Sequence, residues 1–120
     1  MKKILVADDS LFMRTAIKDA LEGRYAIVEA DSGLRSLEQF ERARPDLTLL
    51  DVVMPEGDET GLHVLRRIMA EDPAAKVVMI TALGPRDAVV AECLKAGAKG
   101  CVVKPFEKAQ LREVVAAFLG

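Results

Sequence analysis

Leu47-Thr48-Leu49-Leu50-Asp51-Val52-Val53-Met54-Pro55 runs an apolar segment straight into one carboxylate. The apolar residues 47–50, entered through the turn signal Pro45-Asp46, predict a buried strand of a parallel sheet. Pro55 cannot continue regular pairing, so Asp51 is expected at the strand's carboxyl end. Ligands of open α/β sheets bind at that edge. What else the chain delivers to that edge decides its chemistry.

Upstream, Ile4-Leu5-Val6-Ala7 predicts a first strand that ends in Asp8-Asp9-Ser10. A helix follows, with Met13, Ile17, Ala20 and Leu21 at core spacing, Arg14, Lys18, Asp19 and Glu22 as its polar residues, and Gly23 as its stop. Tyr25-Ala26-Ile27-Val28-Glu29 predicts a second strand, mixed enough in polarity for a sheet edge. Asp31-Ser32-Gly33 opens a second helix with Leu34, Leu37 and Phe40 on one face.

Downstream, the polar loop Glu56-Gly57-Asp58-Glu59-Thr60-Gly61 leads to a third helix carrying Leu62, Leu65, Ile68 and Met69. Val77-Val78-Met79-Ile80 predicts a fourth strand ending at Thr81-Ala82. Gly84-Pro85 opens a fourth helix, with Pro85 in its first turn, running to Ala96-Gly97. Residues 100–103 predict a fifth strand ending at Lys104-Pro105, and Leu111, Val114, Val115 and Phe118 mark a fifth helix.

Strands alternating with helices in this way predict one α/β domain over residues 1–120. The expected architecture is a doubly wound, five-stranded parallel sheet with right-handed crossovers and helices on both faces. Of the two common doubly wound orders, 2-1-3-4-5 suits five strands.

Bulk properties narrow the function. At 120 residues, with 51% hydrophobic content, the chain can bury a real core. A formal net charge of −2 argues against binding to nucleic acid or an anionic membrane through overall charge. No apolar run is long enough to span a bilayer, and Met1-Lys2-Lys3 with its short apolar run is not a signal peptide. Cys93 and Cys101 make no CxxC pair, so zinc is not expected; two reduced thiols fit a cytoplasmic protein.

In the order 2-1-3-4-5, four adjacent strand ends deliver Asp8 and Asp9, Asp51, Thr81 and Lys104 to one crevice. Three carboxylates there repel each other unless one holds a proton or a cation intervenes. Oxygen ligands without His or thiolate favour magnesium over zinc. Magnesium uses one or two carboxylates, which leaves one free as a nucleophile able to form an aspartyl phosphate. Lys104 can supply charge to the phosphoryl oxygens, and Thr81 a hydrogen bond. Taken singly, the acids are helix caps or turn residues, Thr81 a strand-end hydroxyl and Lys104 a solvated charge. Their joint placement at the strand ends outweighs those readings.

The motifs Ile4-Leu5-Val6-Ala7-Asp8-Asp9-Ser10, residues 45–55, Ile80-Thr81-Ala82 and Val103-Lys104-Pro105-Phe106 together resemble the receiver domain of two-component response regulators. The resemblance covers essentially the whole chain. It implies the flavodoxin-like order 2-1-3-4-5; chemotaxis regulators are the standard example of that order, so it adds no independent support. It implies that Asp51 accepts a phosphoryl group from a histidine kinase or phosphotransfer protein. It implies that Asp8 or Asp9, Asp51 and the backbone carbonyl of Val53 hold magnesium, with Asp9 the preferred direct ligand of the pair. Thr81 and Lys104 would bind the phosphoryl oxygens, small Ala82 would leave them room, and the bond before Pro105 would be cis. The output surface would be the fourth helix, fifth strand and fifth helix, with Val89, Val90, Lys99, Cys101 and Lys108 as candidates. It would act on a downstream protein or an attached output domain, from a monomer or weak dimer. Catalysis would be limited to self-phosphorylation from phosphodonors and slow loss of the phosphoryl group.

Some residues depart from the family pattern. The acidic loop 56–61 is about two residues longer than usual. Cys101 stands where many members carry a Tyr or Phe that rotates inward, and it is too small to work that way. His63, the only histidine, reads as a surface helix residue, Phe12 as a shield or packing residue beside the acids, and Met13, Met69 and Met79 as core filler. Three other functions compete. A receiver-like interaction module without switching is kept alive by Cys101. An aspartate-nucleophile phosphohydrolase expects Asp-x-Asp and a cap domain, whereas the acids here are adjacent. A flavin or nucleotide domain needs a phosphate-cradling loop, which Asp8-Asp9 would repel.

Overall fold

Alternation of side chains along buried strands explains the architecture of the computed structural model, which describes residues 1–54, 60–84 and 86–120. The strands are β1 (Lys3–Ala7), β2 (Ala26–Ala30), β3 (Leu47–Asp51), β4 (Val77–Thr81) and β5 (Gly100–Val103). They pair in parallel in the order β2-β1-β3-β4-β5, as expected. The helices are α1 (Leu11–Leu21), α2 (Gly33–Ala43), α3 (Gly61–Glu71), α4 (Ala88–Lys95) and α5 (Lys108–Leu119).

Two cores result, one on each face of the sheet. Ile4, Val6, Leu47, Leu49, Val78 and Ile80 pack with Ile17 and Leu21 of α1 and Leu111 and Val115 of α5. Their strand neighbours Leu5, Ala7, Leu50, Val77 and Met79 pack with Phe40 of α2, Val64 and Ile68 of α3 and Cys93 of α4. Because both faces are covered, the buried stretches of β1, β3 and β4 are mostly apolar rather than alternating with polar residues, with Thr48 of β3 the interior exception among the described residues. Each fully buried Leu or Ile stabilises the fold by about 1.5–3 kcal/mol, more than the ~1 kcal/mol of a helix cap.

Caps do decide the helix starts, and three expectations change there. Helix α4 begins at Ala88, later than the Gly84-Pro85 start; Asp87 caps it by accepting the Val89 N–H at 2.8 Å. Pro85 itself lies outside the described residues. Thr60 and Gly61 are not loop but helix start, the Thr60 hydroxyl accepting the His63 N–H at 3.2 Å. Of the acidic loop, residues 56–59 lie outside the described residues, as does Pro55. In α2 the buried face is Gly33, Ser36 and Phe40, and Leu34 is 60% exposed. The Ser36 hydroxyl donates to the Ser32 carbonyl at 2.6 Å, so a polar residue can face inward and the helix turns Leu34 to solvent.

Other expectations hold. Edge strand β2 is only half-buried until Ala30, and Gly23, just past α1, has φ +80°, a conformation that suits glycine. Met79 is fully buried, while Met13 and Met69 pack at the core margins. Among the described residues no helix is long and apolar enough to cross a membrane.

Candidate functional site

Register brings the strand ends level. Ala7 pairs with Leu50, Asp51 with Ile80 and Thr81 with Val103. Asp51 and Thr81 are thus the last paired residues of β3 and β4, and Asp8 and Lys104 are the residues that follow the last pairs of β1 and β5. The Lys104 ammonium lies 2.8 Å from Asp8 Oδ2 and 3.4 Å from Asp51 Oδ2. The second oxygen of each acid is held by its own turn: Ser10 N–H donates to Asp8 Oδ1 at 2.9 Å, and Val53 N–H to Asp51 Oδ1 at 3.2 Å. Ser10 also caps α1 through the Met13 N–H, so one short turn both ends β1 and starts the helix.

Asp8 and Asp51 are 1% and 6% exposed, whereas Asp9 stands open to solvent. Even so, one oxygen from each of the three lies within 4.8 Å of the others. Burial pushes the Asp51 carboxyl above the usual carboxylate range. The Lys104 charge opposes that shift and the Asp8 charge adds to it, while the Val53 N–H also favours the ionised form. The site is thus a buried carboxylate pair with one cation and an exposed third acid at its mouth.

The donor set fits a hard divalent cation. All three side chains offer oxygen, and octahedral Mg2+ holds ligands at about 2.0–2.1 Å, so opposite ligands lie about 4.2 Å apart. A spread of 4.8 Å needs only small side-chain adjustment to reach that.

Thr81 is buried at the end of β4, the strand next to that of Asp51, and its hydroxyl accepts the Leu83 N–H at 3.0 Å rather than bonding an acid of the cluster. Its connection to Lys104 runs through the backbone, where Lys104 N–H donates to the Thr81 carbonyl at 2.7 Å. The Lys104–Pro105 bond is cis, as the resemblance implied. Phe12, by contrast, does not cover the acids or pack against the core; it is 82% exposed. Val90 is buried and is removed from the candidate output surface, where Val89, Lys99 and Lys108 are exposed and Cys101 is half-buried. Burial pushes the Cys93 and Cys101 thiols up, so neither is a ready thiolate at neutral pH. His63 is an exposed helix residue, as expected.

One site residue was not singled out from sequence. Gly61, the first residue of α3, donates its N–H to the Val52 carbonyl at 3.0 Å. A Cβ on Gly61 would sit 2.7 Å from Val52 Cα, 2.8 Å from the Val52 oxygen, and against the Asp51 carbonyl. All three are backbone atoms and cannot rotate aside. Gly61→Ala is expected to cost about 3 kcal/mol, at the upper end of ordinary overpacking. Urea unfolding checks it, and a loss below about 1 kcal/mol would contradict the close approach.

The chain matches the family model described as "Response regulator receiver domain" over residues 4–116. It is 41% identical over 117 residues to the chemotaxis protein CheY of Listeria monocytogenes, covering 96% of each chain. It is 38% identical over 122 residues to protein CcdB of Bacillus subtilis, covering 100% of this chain and 99% of the relative. Among solved structures, the CheX-CheY-BeF3-Mg2+ complex of Borrelia burgdorferi aligns with a TM-score of 0.90 at 28% identity, covering 99% of this chain and 90% of that one. Vibrio cholerae CheY4 aligns with a TM-score of 0.89 at 26% identity, covering 98% of both chains.

Proposed function

The chain belongs to the response regulator receiver family, and on that premise we propose that it is a phosphorylation-controlled signalling module with Asp51 as phosphoacceptor. The observation that carries this is the buried Asp51 carboxylate held beside Asp8 and Lys104, with Asp9 at the open side. The donor is a phosphohistidine on a sensor kinase or phosphotransfer protein. An oxygen of Asp51 attacks phosphorus as the P–N bond breaks. The electron pair leaves with the imidazole, which takes up a proton, and a mixed carboxylic–phosphoric anhydride remains on Asp51.

Asp9, Asp51 and the Val53 carbonyl, with Asp8 beside them, would hold Mg2+. Bound there, the ion supplies positive charge to the phosphoryl oxygens. Lys104 already reaches Asp51 and pairs with the new oxygens once they are present. Thr81 gives up its bond to the Leu83 N–H and donates to the phosphoryl group, drawing the β4–α4 connection inward. Each charge-assisted hydrogen bond contributes about 1.5–3 kcal/mol. Two of them approach the ~5.5 kcal/mol that carries a two-state equilibrium from almost all off to almost all on.

The surface formed by α4, β5 and α5 then meets a downstream protein or an attached output domain, with Val89, Lys99, Cys101 and Lys108 at hand. The Borrelia structure supports the reading, because there a similar protein is complexed with BeF3 and Mg2+. The test is intact-mass spectrometry after incubation with acetyl phosphate. One phosphoryl mass is expected with millimolar Mg2+ and none in EDTA. Equal labelling in both would sink the metal's part in the proposal, and no labelling in either would sink phosphoacceptance itself.

A further inference from the structure

Asp9 is the exposed acid of the cluster, and among the described residues no side chain bonds its carboxylate. Its direction must therefore come from its backbone. The peptide unit joining Asp8 and Asp9 is planar, so fixing the Asp8 carbonyl fixes how Asp9 leaves the strand. The Asp8 N–H continues the sheet, donating to the Ala30 carbonyl at 3.0 Å. The Asp8 carbonyl instead accepts Arg14 Nη1 at 2.9 Å.

Arg14 is held in turn. Its Nε donates to Glu29 Oε1 at 3.1 Å, and Lys18 Nζ occupies Glu29 Oε2 at 3.1 Å. Glu29 sits on β2 opposite Val6 of β1. The Arg14 side chain is 14% exposed, and its planar fork ties α1 to the end of β1 and to β2 at once. Burial alone would raise the Glu29 carboxyl, yet the Lys18 and Arg14 pairs hold it below its usual range.

We propose that Arg14 is a positioning residue for divalent-cation binding: clamped by Glu29, it holds the Asp8–Asp9 peptide so that Asp9 presents its carboxylate to the metal. This rests on the reading that Asp8, Asp9 and Asp51 form the magnesium site. Residues that orient metal ligands typically change affinity by about 10–100-fold when lost. The sign is diagnostic. Removing a positive charge beside an acid cluster would by itself strengthen cation binding, whereas loss of positioning weakens it.

The test is calorimetric titration of the metal-free protein with MgCl2. Arg14→Met is expected to weaken Mg2+ binding by about 10-fold or more. Arg14→Lys is expected to fall between it and the wild type, since one ammonium cannot reproduce the fork. Glu29→Gln is expected to give a smaller loss in the same direction. In the metal-free protein, the backbone amide resonance of Asp9 should move in Arg14→Met. An unchanged or tighter Mg2+ affinity in Arg14→Met, with only a lower Tm, would overturn the proposal and leave Arg14 a purely structural tie. If Arg14→Met fails to fold, Arg14→Lys decides: wild-type affinity there overturns the proposal. Wild-type protein that binds no Mg2+ would overturn the metal site itself, a failure distinguishable from that of Arg14 alone.

Discussion

Asp51→Asn protein is expected to take up no phosphoryl group from acetyl phosphate and Mg2+, while unfolding at a higher temperature than wild type. The first half follows from chemistry: an amide is not a nucleophile toward phosphorus as a carboxylate is. The second follows from burial. The Asp51 carboxyl is held above its usual range by desolvation, with Asp8 adding to the shift. A group that binds its proton more tightly when folded stabilises the fold below its unfolded pKa, and that contribution is lost as pH rises through the folded value. At neutral pH the ionised Asp51 is therefore a cost, and asparagine of the same shape removes it. Tm is expected to rise by a few degrees at pH 7.5 in EDTA, at about 4 °C for each kcal/mol in a domain of this size. The gap should close as pH falls below the ordinary Asp range, and narrow in Mg2+, which favours the wild type. Calorimetry across pH checks this; labelling of the variant at the wild-type rate would contradict the assignment of Asp51.

Lys104→Met carries the second large effect. Lys104 is the cation paired with both buried acids, at 2.8 Å and 3.4 Å. Removing one partner of a buried ion pair costs about 3–5 kcal/mol, because the other charge stays behind. The Lys104 side chain is 16% exposed, so water can enter and the low end of that range applies. In EDTA at pH 8 the loss is expected to be about 3 kcal/mol. Mg2+ should recover most of it, since a ligand at 100 times its Kd stabilises by about 2.7 kcal/mol and Lys104 no longer competes for the carboxylates. Acid should also narrow the loss by protonating Asp51, whose carboxyl is already pushed up by burial. Denaturant midpoints with and without Mg2+ measure it. A variant as stable as wild type in EDTA, or a deficit that ignores Mg2+, would mean Lys104 is not the acids' counter-charge.

The strands were legible because both faces of the sheet are covered: residues 4–7 and 77–80 read as unbroken apolar runs and 47–50 as a run broken only by Thr48, and all three are strands in the structure. Asp8, Asp51, Thr81 and Lys104 were legible for the same reason, as the first polar residues after such runs, and the register sets their strand ends level. What escaped depends on contacts between distant segments. Gly61 read as a loop glycine because nothing local says that the Asp51–Val52 backbone comes against it. Arg14 read as one polar helix residue among four, because its partners Asp8 and Glu29 lie on two different strands. Leu34 was misplaced because the hydrophobic pattern does not register the Ser36–Ser32 bond that sets the helix phase. Val90 stood among the output-surface candidates that the resemblance implied, but α4 turns it into the core, where it is buried beside Cys93 on the helix's inner face.

The central proposal is that one pocket directs phosphoryl transfer to one carboxylate. Hydride trapping tests it most directly. Borohydride reduces an acyl phosphate to the primary alcohol, so peptide mass spectrometry after acetyl phosphate, Mg2+ and borohydride locates the acid that carried phosphate. Homoserine at position 51 and at no other acid, absent when EDTA replaces Mg2+, is the predicted result; homoserine at position 8 or 9, or at none, would contradict it.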